Sequence, residues 1–121
     1  MNNDNFHTFN EYMKTLDSAL TASMEDYLEM IYRLSEKTGY TRIHELSAAL
    51  NVQPPSATKM VQRLGKMDLI KYEKYGIIIL EELGMRMGKI LIDRHNTLEA
   101  FFKIFGIEDN MILKKRFQRI M

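Results

Sequence analysis

Apolar positions recur along this chain with two periods, and the change of period marks its elements. Tyr27, Leu28, Ile31 and Leu34 fall at the three-to-four spacing that lays one stripe along a helix. Ile43, Leu46 and Leu50 repeat the pattern over a short segment, and Ala57, Met60, Val61 and Leu64 repeat it again. Between Leu69 and Leu80 the period shortens. Leu69, Ile70 and Tyr72 open one strand, and Ile77-Ile78-Ile79-Leu80 is an apolar, mostly β-branched return strand. Lys74-Tyr75-Gly76 joins the two as a three-residue loop, with glycine where φ must be positive. From Glu81 to Phe105 the helical stripe returns for about seven turns, through Leu83, Met87, Ile90, Leu91, Leu98, Phe101, Phe102 and Phe105.

The polar residues between these runs punctuate them. Ser23 with Asp26 three residues on resembles a capping pair at the first confident helix, and Gly39 ends that helix. Tyr40-Thr41-Arg42-Ile43 reads as a short strand or link. Asn51 closes the next helix, and Gln53-Pro54-Pro55-Ser56 restarts the chain, because proline suits a turn or a first helical position and not a helix interior. A helix, a tight turn, a second helix and a hairpin in this order predict a winged helix-turn-helix. Before it, Phe6, Phe9, Tyr12, Met13, Leu16 and Leu20 predict an amphipathic helix from Phe6 to Leu20. After the long helix, Gly106-Ile107 is a break and Glu108 to Ile120 is helical again.

The expected fold is therefore mainly α with a small β-hairpin. Residues 1–22 form an N-terminal extension and residues 23–80 the winged helix-turn-helix. Residues 81–121 form a long linker helix and the start of a helical dimerisation region. The linker helix carries more apolar face than one small domain needs to cover its core, which points to a dimer interface.

Charge sharpens the picture. The net charge is only +1, yet residues 1–30 hold one base and six acids, a balance of −5, so the remainder carries +6. An acidic front and a basic remainder fit a chain that meets a cation at one place and phosphate at another. The outer face of the second short helix carries Thr58, Lys59, Gln62, Arg63 and Lys66, groups that bond phosphates and base edges in a major groove. Alone, such a face is equally a plain solvated surface. The hairpin directly after it, with Lys71, Tyr72, Lys74 and Tyr75 at or near the tip, favours a DNA reader. With no cysteine there is no disulfide framework, zinc-finger spacing or thiol chemistry. No signal peptide and no run long and apolar enough to span a membrane is present, so a cytoplasmic location is the default. The ten methionines read as core filler.

Glu25, Asp26 and Glu29 crowd the start of the first confident helix, where the helix dipole alone accounts for them. Asp26 and Glu29, at i and i+3, also share a face from which both could reach one cation. His95, with Glu99 one turn on, lies beside the stripe of the long helix.

The segments MEDYLEMIY (24–32), VQPPSATKMVQRL (52–64), LIKYEKYGIIIL (69–80) and GKILIDRH (88–95) resemble the DtxR/MntR metalloregulators, specifically the manganese-responsive MntR branch. The resemblance runs from about Ser23 to Asp109 and leaves out residues 1–22. It implies a winged-helix repressor that binds double-stranded operator DNA as a homodimer when Mn(II) is bound. By motif position, family metal ligands fall on Asp26, Glu29 and His95, and Glu99 corresponds to an ancillary position of iron-type relatives. Oxygen donors with one imidazole suit Mn(II). The DNA-contacting residues it points to are Pro55, Ser56, Thr58, Lys59, Gln62 and Arg63 for the groove, with Lys71 and Lys74 for the wing.

One stretch departs from the family. Further ligands come from a Glu-x-x-Glu-His pattern on the helix after Gly106, where this chain has Phe117-Gln118-Arg119-Ile120-Met121. The expectation is a truncated or diverged member with a half site, holding Mn(II) weakly or not at all. The competing reading is a protein-interaction module that pairs with a full-length relative without binding DNA itself. Nothing resembles a nucleophile motif or a Gly-rich phosphate loop, so an enzyme is not expected.

Overall fold

The described residues, 3–105 without the side chains of residues 3–7 and 9, form five α-helices and a three-stranded sheet in this computed structural model. In chain order these are α1 (Asn3–Ala19), α2 (Ala22–Ser35), β1 (Thr41–Arg42), α3 (Ile43–Leu50), α4 (Pro54–Lys66), β2 (Ile70–Tyr72), β3 (Ile77–Leu80) and α5 (Glu82–Ile104). The helix expected over Glu108–Ile120 and the side chains of Phe6 and Phe9 lie outside the described residues.

α1 covers the predicted amphipathic stretch, and its Met13 and Leu16 are buried together with Leu20 just beyond it. The start of α2 differs from expectation. Thr21, not Ser23, is the N-cap: its hydroxyl accepts from the Met24 N–H at 3.1 Å, while its own N–H points to the Met24 sulfur. α1 ends only two residues earlier, and Leu20 is buried beneath the corner. The cap therefore falls at the bend in the chain, upstream of the acid cluster. α2 leaves through a turn in which the Gly39 N–H returns to the Ser35 carbonyl at 2.8 Å, with Gly39 at φ +85°.

The hairpin is part of a larger sheet. β3 lies in the middle, antiparallel to β2 on one side and to β1 on the other, with Tyr72 and Thr41 both opposite Ile78. The Tyr40–Ile43 stretch, open between strand and link, thus supplies a strand at Thr41–Arg42. This pairing ties the start of α3 to the loop end of the hairpin.

One core runs through all these elements. Leu28, Ile31, Leu46, Ala57, Val61, Leu64, Leu69 and Ile78 are fully buried, and Met87 and Leu91 of α5 join them. Burying each large aliphatic side chain contributes about 1.5–3 kcal/mol. Two glycines let α5 lie close. A Cβ on Gly84 would overlap the Leu69 carbonyl oxygen, and one on Gly88 would fall 2.8 Å from the Tyr32 ring. α5 therefore starts directly over the entrance to β2 and then presses against α2.

Candidate nucleic-acid interface

The turn between α3 and α4 is fixed by backbone geometry. Asn51 adopts the left-handed conformation (φ 56°, ψ 48°), which asparagine tolerates better than most residues. The Val52 N–H then reaches back to Ser47 O at 2.9 Å. Gln53 is extended, and Pro54 and Pro55 occupy the first two helical positions, where no N–H is needed. The prolines thus set the direction in which α4 leaves the turn.

α4 is sharply two-sided. Ala57, Val61 and Leu64 are fully buried and Met60 is partly so. Pro55, Ser56, Lys59, Gln62, Arg63 and Lys66 are exposed, and Thr58 is half-buried with its hydroxyl donating to Pro54 O at 3.0 Å. α4 contains no acid. Among the described residues Lys59, Arg63, Lys66, Lys71 and Lys74 form no ion pair, a property they share with Lys14, Lys37, Arg42 and Lys103 elsewhere; Arg33, Arg86, Lys89 and Arg94 are each held by a carboxylate. What sets the five apart is their grouping on α4 and the hairpin beside it. Cations without internal counter-charges are available to an external anion, and their spacing on one helix face and the adjoining hairpin suits a phosphate backbone.

β2 stands beside α4, and the two enclose a shallow cleft of about 650 Å³ lined by Gln62, Gly65, Lys66, Ile70, Lys71 and Tyr72. The cleft joins the predicted groove residues to the predicted wing residues in one surface. It also brings in Lys66, from the polar face of α4, and Tyr72, from the hairpin. The seven-residue spacing of Lys59 and Lys66 carried the signal for the lysine; no pattern carried it for the tyrosine.

The four residues expected to meet a metal are placed on two touching helices. Asp26 is exposed on α2. Glu29 is engaged by Arg33 of the next turn at 3.5 Å, and His95 Nε2 lies 3.5 Å from Glu99 Oε1 on α5. Carboxylates and an imidazole are the right donors for a hard or borderline ion. Among the described residues, however, no three His, Asp or Glu side chains converge at metal-binding separation. The contact that α5 makes with the acidic start of α2 is instead Arg94, largely buried at 14% exposure. Its guanidinium sits 3.2 Å from Asp17 of α1 and 3.7 Å from Glu25 of α2. A cation of the protein's own thus bridges three helices one residue from His95. As they stand, the described residues do not assemble a metal site.

Residues 19–78 match the family model for the iron dependent repressor N-terminal DNA binding domain. The chain is 50% identical over 94 residues to the HTH-type transcriptional regulator MntR of Shouchella clausii, covering 78% of this chain and 66% of that protein. It is 47% identical over 92 residues to MntR of Bacillus subtilis, covering 76% and 65%. The match thus spans just under two thirds of the length of these relatives. The structure of the manganese regulator SloR superposes with a TM-score of 0.68 over 81% of this chain and 47% of that one, at 23% identity, a likeness of fold.

Proposed function

The chain belongs to the iron dependent repressor family, with MntR regulators among its relatives, and we propose that it is a transcriptional repressor that binds double-stranded DNA through α4 and the hairpin. One observation carries the reading. The exposed, acid-free face of α4 and the adjoining wing hold five cations that the described residues leave without internal partners. α4 enters the major groove with Ser56, Lys59, Gln62 and Arg63 facing the bases and phosphates, Pro55 and Thr58 shape its leading turn, and Lys71 and Lys74 meet the flanking backbone. Selection of duplexes from a random pool tests this. Recovery of a shared sequence supports it, and enrichment of none contradicts it.

The DNA-binding form is a homodimer in this reading. α5 ends in an apolar face, with Phe101 against Phe105 at 4.7 Å between ring centres and with Ile104 at 79% and Phe105 at 65% exposure. A second copy would cover this face, and sedimentation of the full chain reads the outcome. A monomer that co-purifies only with a longer relative and binds no DNA would support the interaction-module reading.

Mn(II) is the ion that suits Asp26, Glu29 and His95, with Glu99 beside them, and it is held weakly. Glu29 and His95 are each drawn to a neighbour on their own helix, and Arg94 already links α2 to α5. Calorimetry checks this directly: affinity far weaker than micromolar is expected, and submicromolar binding contradicts it.

A further inference from the structure

The hairpin tip holds a conformation that its sequence resists. Tyr75 has φ 63° and ψ 24°, and Gly76 follows at φ 74°. Two consecutive left-handed residues are what glycine and asparagine supply in tight hairpin turns. Glycine adopts φ above zero freely, but a bulky aromatic there is crowded by its own Cβ. Tyr75 is 88% exposed, and among the described residues its hydroxyl makes no hydrogen bond and its ring no aromatic contact. The fold therefore gains nothing visible from holding a tyrosine there.

The tip is nevertheless firmly set. The Glu73 N–H bonds to Ile77 O at 2.8 Å. The Gly76 α-carbon lies against Ile43, so that a Cβ there would be 3.6 Å from the Ile43 Cβ. The loop is thus anchored to the start of α3, and the Tyr75 side chain projects outward from a fixed backbone. Its neighbours along the chain are Lys74 on the loop, the exposed Glu73 before it and, further down the strand, Tyr72 and Lys71, which line the cleft shared with α4. Backbone strain retained at an exposed, pre-organised position points to a contact made outside the chain.

We propose that Tyr75 is a DNA-binding residue that contacts the sugar–phosphate backbone beside the groove taken by α4. Its hydroxyl donates to a phosphate oxygen and its ring packs on the adjoining sugar. This rests on the DNA-reading function proposed above. A phenol suits that place because it has one polar tip for the phosphate and a flat apolar body with little rotamer entropy to lose. Lys74 supplies the charge, and Tyr75 supplies the directed contact that a flexible lysine does not.

The test pairs stability with affinity, since the two should move in opposite directions. Tyr75→Asn, Tyr75→Phe and Lys59→Ala/Arg63→Ala are compared with the unaltered chain by thermal melting and by titration of two duplexes. One duplex is selected from a random pool by the unaltered chain, and one is unselected and of the same length. Tyr75→Asn should melt higher, because asparagine accepts the left-handed conformation, yet bind both duplexes about tenfold more weakly, as expected for losing a hydrogen bond to a charged group. Tyr75→Phe should melt as the unaltered chain does and lose most of the same affinity. If Tyr75→Asn binds DNA as well as the unaltered chain while Lys59→Ala/Arg63→Ala does not bind, the DNA reading stands and the role of Tyr75 is overturned. Undiminished binding by Tyr75→Phe removes the phosphate contact. A fall in both melting temperature and affinity for Tyr75→Asn would place the residue in the fold and overturn the proposal. If the unaltered chain binds no duplex, both readings fall together.

Discussion

At the scale of single residues, the positions that matter most are ones where a side chain is missing or mispriced by local rules. Gly84 is such a place. Its α-carbon sits against the Leu69 carbonyl, which also accepts the Glu81 N–H at 3.0 Å, so α5 can begin over β2 only if no Cβ intervenes. Gly84→Ala should destabilise the chain by about 1–3 kcal/mol, the usual cost of overpacking, and denaturant melts would measure it. The sequence shows a glycine near the start of a helix and gives no reason for it, because the reason is the Leu69 carbonyl, fifteen residues earlier and just ahead of β2. Tyr75 is illegible for the opposite reason: glycine and asparagine announce positive φ, and tyrosine does not. Tyr27 is a third case. Burial at 6% exposure raises its phenol above the ordinary value near 10 by desolvating the charged form. The folded state then binds this proton more tightly than the unfolded state. The stabilisation is complete below about pH 10 and is lost as pH rises through the higher folded value. Melts of the unaltered chain should therefore fall more steeply above pH 10 than those of Tyr27→Phe, and equal slopes would count against this assignment.

At the scale of elements, periodicity was a good guide and end-points were not. The stripes at Tyr27–Leu34 and Ala57–Leu64 are the inward faces of α2 and α4, because burial of one helix face is what writes a three-to-four pattern; on α5 Met87, Leu91, Leu98 and Phe102 are buried, while Ile90 and Phe101 of the same stripe are exposed. The cap of α2 is Thr21 where the sequence pattern points to Ser23. Thr21 and Ser23 are both good capping residues, and the choice is made by where α1 stops. The docking of α1 was equally hidden, since it depends on a pair 77 residues apart. Arg94 joins Asp17 of α1 and Glu25 of α2 from a largely buried position. Removing Arg94 takes away the counter-charge that holds the Asp17 carboxylate. Arg94→Gln should cost on the order of 2 kcal/mol and should speed hydrogen exchange in α1 ahead of α4. Uniform exchange throughout the chain would mean that Arg94 does not hold α1.

At the scale of the whole molecule, the winged helix-turn-helix was legible because its pieces are local: a helix, a turn forced by Asn51 and two prolines, a second helix and a hairpin. The third strand is not legible in the sequence, because Thr41 and Arg42 become a strand only with Ile77 and Ile78 beside them. The polar face of α4 was also legible, residue by residue, from Ser56 to Lys66. What the sequence could not express is that Lys59, Arg63, Lys66, Lys71 and Lys74 lie together on α4 and the adjoining hairpin with no internal acid partner among the described residues. That grouping is the basis for reading one continuous phosphate-binding surface across α4 and the wing. The most direct measurement is a salt series of duplex titrations on the unaltered chain and on Lys59→Ala/Arg63→Ala. The unaltered chain should lose affinity steeply and linearly in log–log form. The double variant should melt normally, bind far more weakly, and show a slope smaller by about two, one for each phosphate contact removed. Equal affinity and equal slope for the two proteins would contradict the assignment of α4 as the helix that meets DNA.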